Sequence, residues 1–146
     1  MSFIVGIDGP AGTGKGTITN LVAKDLKLNQ IDTGAMYRAF TLYMLDNKVE
    51  LDEIEKIKEL LEKVKIDLIQ EDDKETVFLN GKDVTKEIRS KSVTNFVSPV
   101  SSIIEVRIKM VELQRKMAEG KNVIMEGRDI TTYVFPNANV KIYLDA

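Results

Sequence analysis

The stretch Gly9-Pro10-Ala11-Gly12-Thr13-Gly14-Lys15-Gly16-Thr17 follows directly on the apolar run Phe3-Ile4-Val5-Gly6-Ile7 and leads into a helical pattern. Few local features restrict a fold as tightly. Glycines at 9, 12 and 14 open backbone angles closed to residues with a Cβ, so successive N–H groups can turn inward as a concave anion site. Lys15 adds a mobile cation for a phosphate chain. The helix that follows aims its N-terminal amides and dipole at the same anion. Strand, glycine-rich loop and helix in that order imply an α/β layered fold with a parallel sheet, whose ligands collect at the carboxyl ends of the strands. The spacing from Gly9 to Gly14-Lys15 fits the G-x-x-x-x-G-K part of the phosphate-loop pattern. It departs at Gly16, where Ser or Thr is expected, and the hydroxyl arrives one residue later at Thr17.

Composition narrows the chemistry. At 146 residues and 43% hydrophobic, the chain is long enough to bury a core. A net charge of −2 with dispersed lysines leaves no basic face to track a nucleic acid, so phosphate recognition is local and the ligand small. The absence of Cys and His excludes disulfides, thiolate or imidazole catalysis and the usual zinc sites. Any metal is then a hard, oxygen-liganded ion, and Mg²⁺ fits. Strand residues begin at Phe3 with no charged leader before them, and no apolar run approaches ~20 residues. The chain therefore reads as cytoplasmic, with no membrane partner.

After the loop, Ile18, Leu21, Val22 and Leu26 recur at helical spacing and are expected to pack on the sheet. Asn29–Asp32 reads as a short strand, and Thr33 as the cap of a helix through Met36, Phe40, Tyr43 and Met44. Leu51, Ile54, Ile57, Leu61 and Val64 form another amphipathic helix. Alternating runs at 66–68 and 76–79, with the turn signal Asn80-Gly81, predict an antiparallel hairpin with room for a third short strand. Pro99 is expected to break any helix across 85–101. Ser102 and Glu105 read as a capping box for a helix that Gly120 closes. Two further strands are expected, at Val123–Met125 and Val140–Leu144.

Three segments just past strand ends, 9–17, 33–38 and 126–129, should converge on one cleft. They supply Lys15, Arg38 and Arg128, and the planar fork of an arginine suits phosphate. Arg38 reads equally well as a solvated helix residue. Glu126 ends its strand where phosphate-loop proteins place a magnesium-orienting acid, acting through metal-bound water, with Asp8 as a second metal candidate or a cap of the loop. Asp129 has the alternative of capping the segment Ile130–Val134.

The form G-x-x-G-x-G-K-G-T resembles the loop of nucleoside monophosphate kinases. Ile31-Asp32-Thr33-Gly34-Ala35-Met36-Tyr37-Arg38-Ala39, Phe78-Leu79-Asn80-Gly81, Val97-Ser98-Pro99-Val100-Ser101 and Met125-Glu126-Gly127-Arg128-Asp129 are similar to the corresponding stretches of bacterial cytidylate kinases. The resemblance implies a phosphate-loop core over 1–32 and 120–146, and a monophosphate-binding region over 33–119 with its hairpin insertion around 65–89. It implies transfer of the γ-phosphoryl of ATP to CMP or dCMP, with ATP held by Gly9 to Thr17 and the monophosphate by Thr33, Arg38 and Arg128. Ser98, Arg107 and Asp129 would read the cytosine. Lys15, Arg38 and Arg128 would be the catalytic clamps. A nucleotide-binding module without turnover and a kinase for another monophosphate are the alternatives. The family continues past Leu144-Asp145-Ala146 into an Arg-rich lid, a strand and a terminal helix, so the chain is expected to be part of a longer protein. The family is expected to be monomeric, whereas an uncovered strand at 140–144 would favour self-association.

Overall fold

The structure is a computed structural model that describes residues 3–9, 15–71, 74–127 and 129–144, with only the backbone of Lys15. In chain order it begins β1 (Ile4–Asp8), α1 (Lys15–Leu26), β2 (Asn29–Asp32), α2 (Thr33–Asp46) and α3 (Ile54–Lys63). There follow β3 (Ile66–Glu71), β4 (Lys74–Leu79), β5 (Lys82–Asp83), α4 (Lys91–Ser101), α5 (Ile104–Ala118), β6 (Val123–Gly127), a π-helical turn at Ile130–Val134 and β7 (Val140–Tyr143). The residues divide into two compact units, Met1–Thr33 with Val111–Ala146, and Gly34–Met110.

The first unit holds a four-stranded, all-parallel sheet in the order β2-β6-β1-β7. Strands of such a sheet are covered on both faces, which explains why β1 and β6 read as continuous apolar runs. Val5, Ile7 and Ile124 pack against Ala23, Ile18 and Val22 of α1. The buried face of α1 differs from the expected one: Leu21 and Leu26 are 59% and 58% exposed, while Thr19 is buried. The helical period holds, but the stripe is rotated toward small residues, since Ala23 and Thr19 let the helix approach the sheet. Lys27, at φ 55, ends the helix in a left-handed conformation.

The second unit has its own core, with Met36, Phe40, Ile57, Val77, Ile88, Val93 and Met110 fully buried. The hairpin forms as expected and gains its third strand, in the order β3-β4-β5. Asn80 and Gly81 both have positive φ, 50 and 85, as a tight hairpin turn requires.

Two local expectations fail in this unit. Pro99 lies inside α4 rather than breaking it. Its ring costs the single bond that an N–H at 99 would make to the Asn95 carbonyl, and the helix ends two residues later, after Ser101. The helix is anchored earlier, by the Ser90 hydroxyl accepting from Val93 N and by buried Val93 and Val100. Nor does Ser102 cap α5. Its hydroxyl donates backward to the Ser98 carbonyl at 3.2 Å, at the end of α4. Gly120, at φ 68, follows α5 as expected. Among the described residues no helix is long and apolar enough to cross a membrane.

Candidate functional site

The register of the parallel sheet sets Asp8 opposite Gly127 and Asp32 opposite Glu126, so the carboxyl ends of β1, β2 and β6 finish together. Gly9 N donates to the Gly127 carbonyl at 3.2 Å and locks the ends of β1 and β6. At the third, the Thr33 hydroxyl donates to the Glu126 carbonyl at 2.8 Å. That bond ties the start of α2 to β6, in place of the helix cap expected of Thr33. Asp8, Gly9, Thr33, Glu126 and Asp129 thus share one end of the sheet.

Glu126 is half-buried, and its Oε2 accepts from the Thr19 hydroxyl at 2.9 Å. A Cβ built on Gly16 would lie 3.9 Å from the same oxygen. The carboxylate therefore stands over the first turn of α1, beside the helix N-terminus that the glycine-rich loop enters. Gly16 and Thr17 are exposed there. Thr19 escaped the sequence reading, although its position one turn after Lys15 puts both on one helix face and offered a signal.

Asp8 behaves differently. It is 2% exposed; its Oδ1 accepts from Ile130 N at 2.8 Å, and its Oδ2 from Thr131 N at 2.8 Å and Thr131 Oγ1 at 2.6 Å. Both oxygens face the π-helical turn. That turn is closed by Tyr133 N and Val134 N donating to the Asp129 carbonyl at 2.8 and 3.2 Å. Arg115 holds its far end, Nε donating to Val134 O at 3.0 Å and Nη2 to Tyr133 O at 3.1 Å. The Asp129 side chain makes no capping bond to the turn, so the capping alternative falls away. Neither Thr131 nor Arg115 carries a local sequence signal.

In the second unit Arg38 is half-buried, with Nη1 donating to the Ile88 carbonyl at 3.1 Å and Thr94 Oγ1 at 3.0 Å. These bonds fix the guanidinium by one nitrogen, and its other donors lie on Nε and Nη2. Arg38 is therefore a braced side chain, unlike a solvated helix residue. Ser98 is exposed one turn beyond Thr94 on the same face of α4, and Arg107 is exposed near the start of α5. A cavity of about 530 Å³ in this unit, lined by Met44, Leu45, Val49, Phe96 and Val100 among others, contains none of the candidate catalytic or binding residues. Pro10, Ala11, Gly12, Thr13, Gly14, the Lys15 side chain and Arg128 lie outside the described residues.

A magnesium ion bound with nucleotide typically takes one or two carboxylates plus phosphate oxygens, rather than a cage of protein ligands. The described residues contain no cluster of three or more acidic side chains, and Glu126 beside the start of α1 fits that modest requirement.

Residues 5–146 match the family described as Cytidylate kinase. The chain is 50% identical over 145 residues to a cytidylate kinase of Fusobacterium nucleatum, covering 99% of this chain and 65% of that protein. It is 49% identical over 142 residues to one from Caldicellulosiruptor saccharolyticus, covering 97% and 63%. A third, from Lactobacillus johnsonii, is 50% identical over 142 residues, covering 97% and 62%. The chain thus spans somewhat less than two thirds of the length of these curated relatives.

Proposed function

The chain belongs to the cytidylate kinase family, and on that premise we propose that the protein transfers the γ-phosphoryl group of ATP to CMP or dCMP, giving ADP and the pyrimidine diphosphate. The observation that carries the proposal is the Glu126 carboxylate, oriented by Thr19 over the first turn of the helix that follows a glycine-rich loop. It supports reading the start of α1 as a phosphate site with an acid beside it for a divalent cation.

The chemistry asked of the protein is positioning and charge stabilisation, with no covalent intermediate. Lys15 and the backbone amides from Gly9 to Thr17 hold the ATP phosphates. Thr33, Arg38 and Arg128 hold the monophosphate, whose oxygen is the nucleophile. Lys15, Arg38 and Arg128 act as the catalytic cations. Glu126 would hold Mg²⁺, directly or through its water, and the ion when bound offsets the phosphate charge. The three donors facing Asp8 favour an anchoring role for that carboxylate over metal ligation. Ser98, Arg107 and Asp129 are assigned to cytosine, whose edge combines an amino donor with acceptors and so suits an acceptor paired with an arginine. The enzyme works in the cytoplasm on small molecules.

The test is ADP release with Mg²⁺ and, in turn, CMP, dCMP, UMP and AMP as acceptor, beside equilibrium binding of each. We expect the cytosine nucleotides to be preferred by ~10²-fold or more, because a site built to bond a polar edge rejects a base that leaves its groups unpaired. Equal use of UMP or AMP would overturn the substrate assignment. Binding of CMP with no ADP release would mark a nucleotide-binding module.

A further inference from the structure

Asp8 has the form of a metal-site acid, at the end of β1 next to the glycine-rich loop, yet both its oxygens are bonded to the start of the turn at 130–134. The contact spans 122 residues of chain to Ile130. The site is shaped for it on all sides. A Cβ on Gly6 would come within 3.0 Å of the Ile130 and Thr131 side chains, and one on Gly127 within 3.0 Å of Ile130. Ile130 is 1% exposed, seated where those two side chains are missing. Arg115 bonds the last carbonyls of the same turn, so it carries an acid at its amino end and a cation at its carboxyl end. That polarity suits the dipole of a helical turn. Such π-helical turns recur at functional sites. The residue whose carbonyl closes this one is Asp129.

We propose that Asp8 is a positioning residue for the acceptor pocket: by fixing Ile130 and Thr131 to the end of β1, it sets the place of Asp129 against the base of the monophosphate. The proposal rests on the assignment of Asp129 to cytosine made above. It gives the acid beside the loop a role on the acceptor side, separate from ATP and its metal. A carboxylate is needed because it accepts all three bonds; a carboxamide would turn an NH₂ toward one of two backbone N–H donors.

The experiment compares Asp8→Asn and Thr131→Val with the unaltered protein, measuring thermal unfolding and the dissociation constants of CMP and ATP separately. Thr131→Val keeps the side-chain shape and removes only the hydroxyl bond. For Asp8→Asn we expect CMP affinity to fall by ~10-fold or more with ATP affinity held within ~2-fold, the scale on which removal of an orienting partner acts. Thr131→Val should shift the same quantity in the same direction by a smaller factor. Combined, the two should be non-additive, because they remove parts of one network. A parallel loss of ATP affinity would return Asp8 to the loop or metal, and lowered thermal stability with unchanged CMP affinity would make it purely structural. Either overturns the proposal. Failure of the unaltered protein to bind CMP would instead defeat the acceptor reading itself, and shows in the first arm before any variant is compared.

Discussion

Thr19 illustrates how a residue with no chemistry of its own bears on the proposed mechanism. It is 3% exposed, and its hydroxyl meets the Glu126 carboxylate across the sheet face. Thr19→Val preserves shape and burial but removes the donor. We expect kcat to fall by ~10-fold or more and the Mg²⁺ concentration for half-maximal rate to rise, as when an outer partner of a metal-orienting carboxylate is lost. A rise in the KM for CMP alone would place Glu126 on the acceptor instead. Lys15→Ala should lower turnover by at least ~10²-fold, the loss that follows removal of one transition-state donor, with thermal unfolding unchanged. Near-normal kinetics would remove the loop from catalysis. Gly9 is constrained by packing: a Cβ there would lie 2.6 Å from the Leu144 carbonyl oxygen. Because that neighbour is backbone, Gly9→Ala should destabilise the protein by about 1–3 kcal/mol, the usual range for overpacking, read as a lower Tm. An unchanged Tm would show that the end of β7 gives way freely.

Among the elements, the β4-β5 hairpin contains a titratable support. Thr85 N and Oγ1 donate to Asp83 Oδ1 at 3.0 and 2.6 Å, while Thr85 Oγ1 accepts from Val77 N at 3.0 Å across the ladder. The Thr85 hydroxyl and backbone bonds, with smaller help from nearby lysines, hold the Asp83 carboxyl below its ordinary value of 3.8. A carboxyl that ionises more easily when folded stabilises the hairpin at pH above the ordinary value, and that support is lost as pH falls through the lowered one. The Thr85 amide resonance should therefore move on acidification below about pH 4, with Val77 following, and Asp83→Asn should abolish the movement. A Thr85 amide that ignores pH in the unaltered protein would refute the linkage. Asp83 is fully solvated, so this is local ordering rather than a large share of global stability.

On the scale of the whole molecule, the first unit is assembled from the two ends of the chain and the second from its middle. Strands β2 and β6 are parallel neighbours although the entire second unit separates them in sequence. Closing so long a loop costs roughly 7 RT, about 4 kcal/mol, and lengthening it further adds little, since the cost grows with the logarithm of length. The insertion is thus thermodynamically tolerable, and ligands that bind only the folded chain act on it as mass action requires. CMP at ~100 times its dissociation constant should add about 2.7 kcal/mol of stability. For a chain of this size that raises Tm by roughly 5–15 °C. Scanning fluorimetry with CMP and UMP compares the two bases, and equal shifts would count against a cytosine-specific pocket.

Within a few residues the chain dictates its own local structure: the strand and helix that flank the glycine-rich segment at the start, the Asn80-Gly81 turn, the Gly120 helix end and the helical periods. Glycine angles, turn chemistry and hydrophobic period are local properties, so they survive without knowledge of the fold. Tertiary structure decided which face of α1 is buried, because Leu21 and Leu26 obey the same period as Ile18 and Val22 while only the sheet chooses between them. It also decided that Pro99 is accommodated in the last turn of α4, that Thr33 bonds the Glu126 carbonyl, and that Asp8 meets Ile130 and Thr131. The last two follow from the strand order β2-β6-β1-β7, which sets β6 between β2 and β1 and brings the turn beyond it to the end of β1. Partners 93 to 123 residues apart leave no periodic or spacing signal in the chain, and only the register of the sheet brings them within bonding distance.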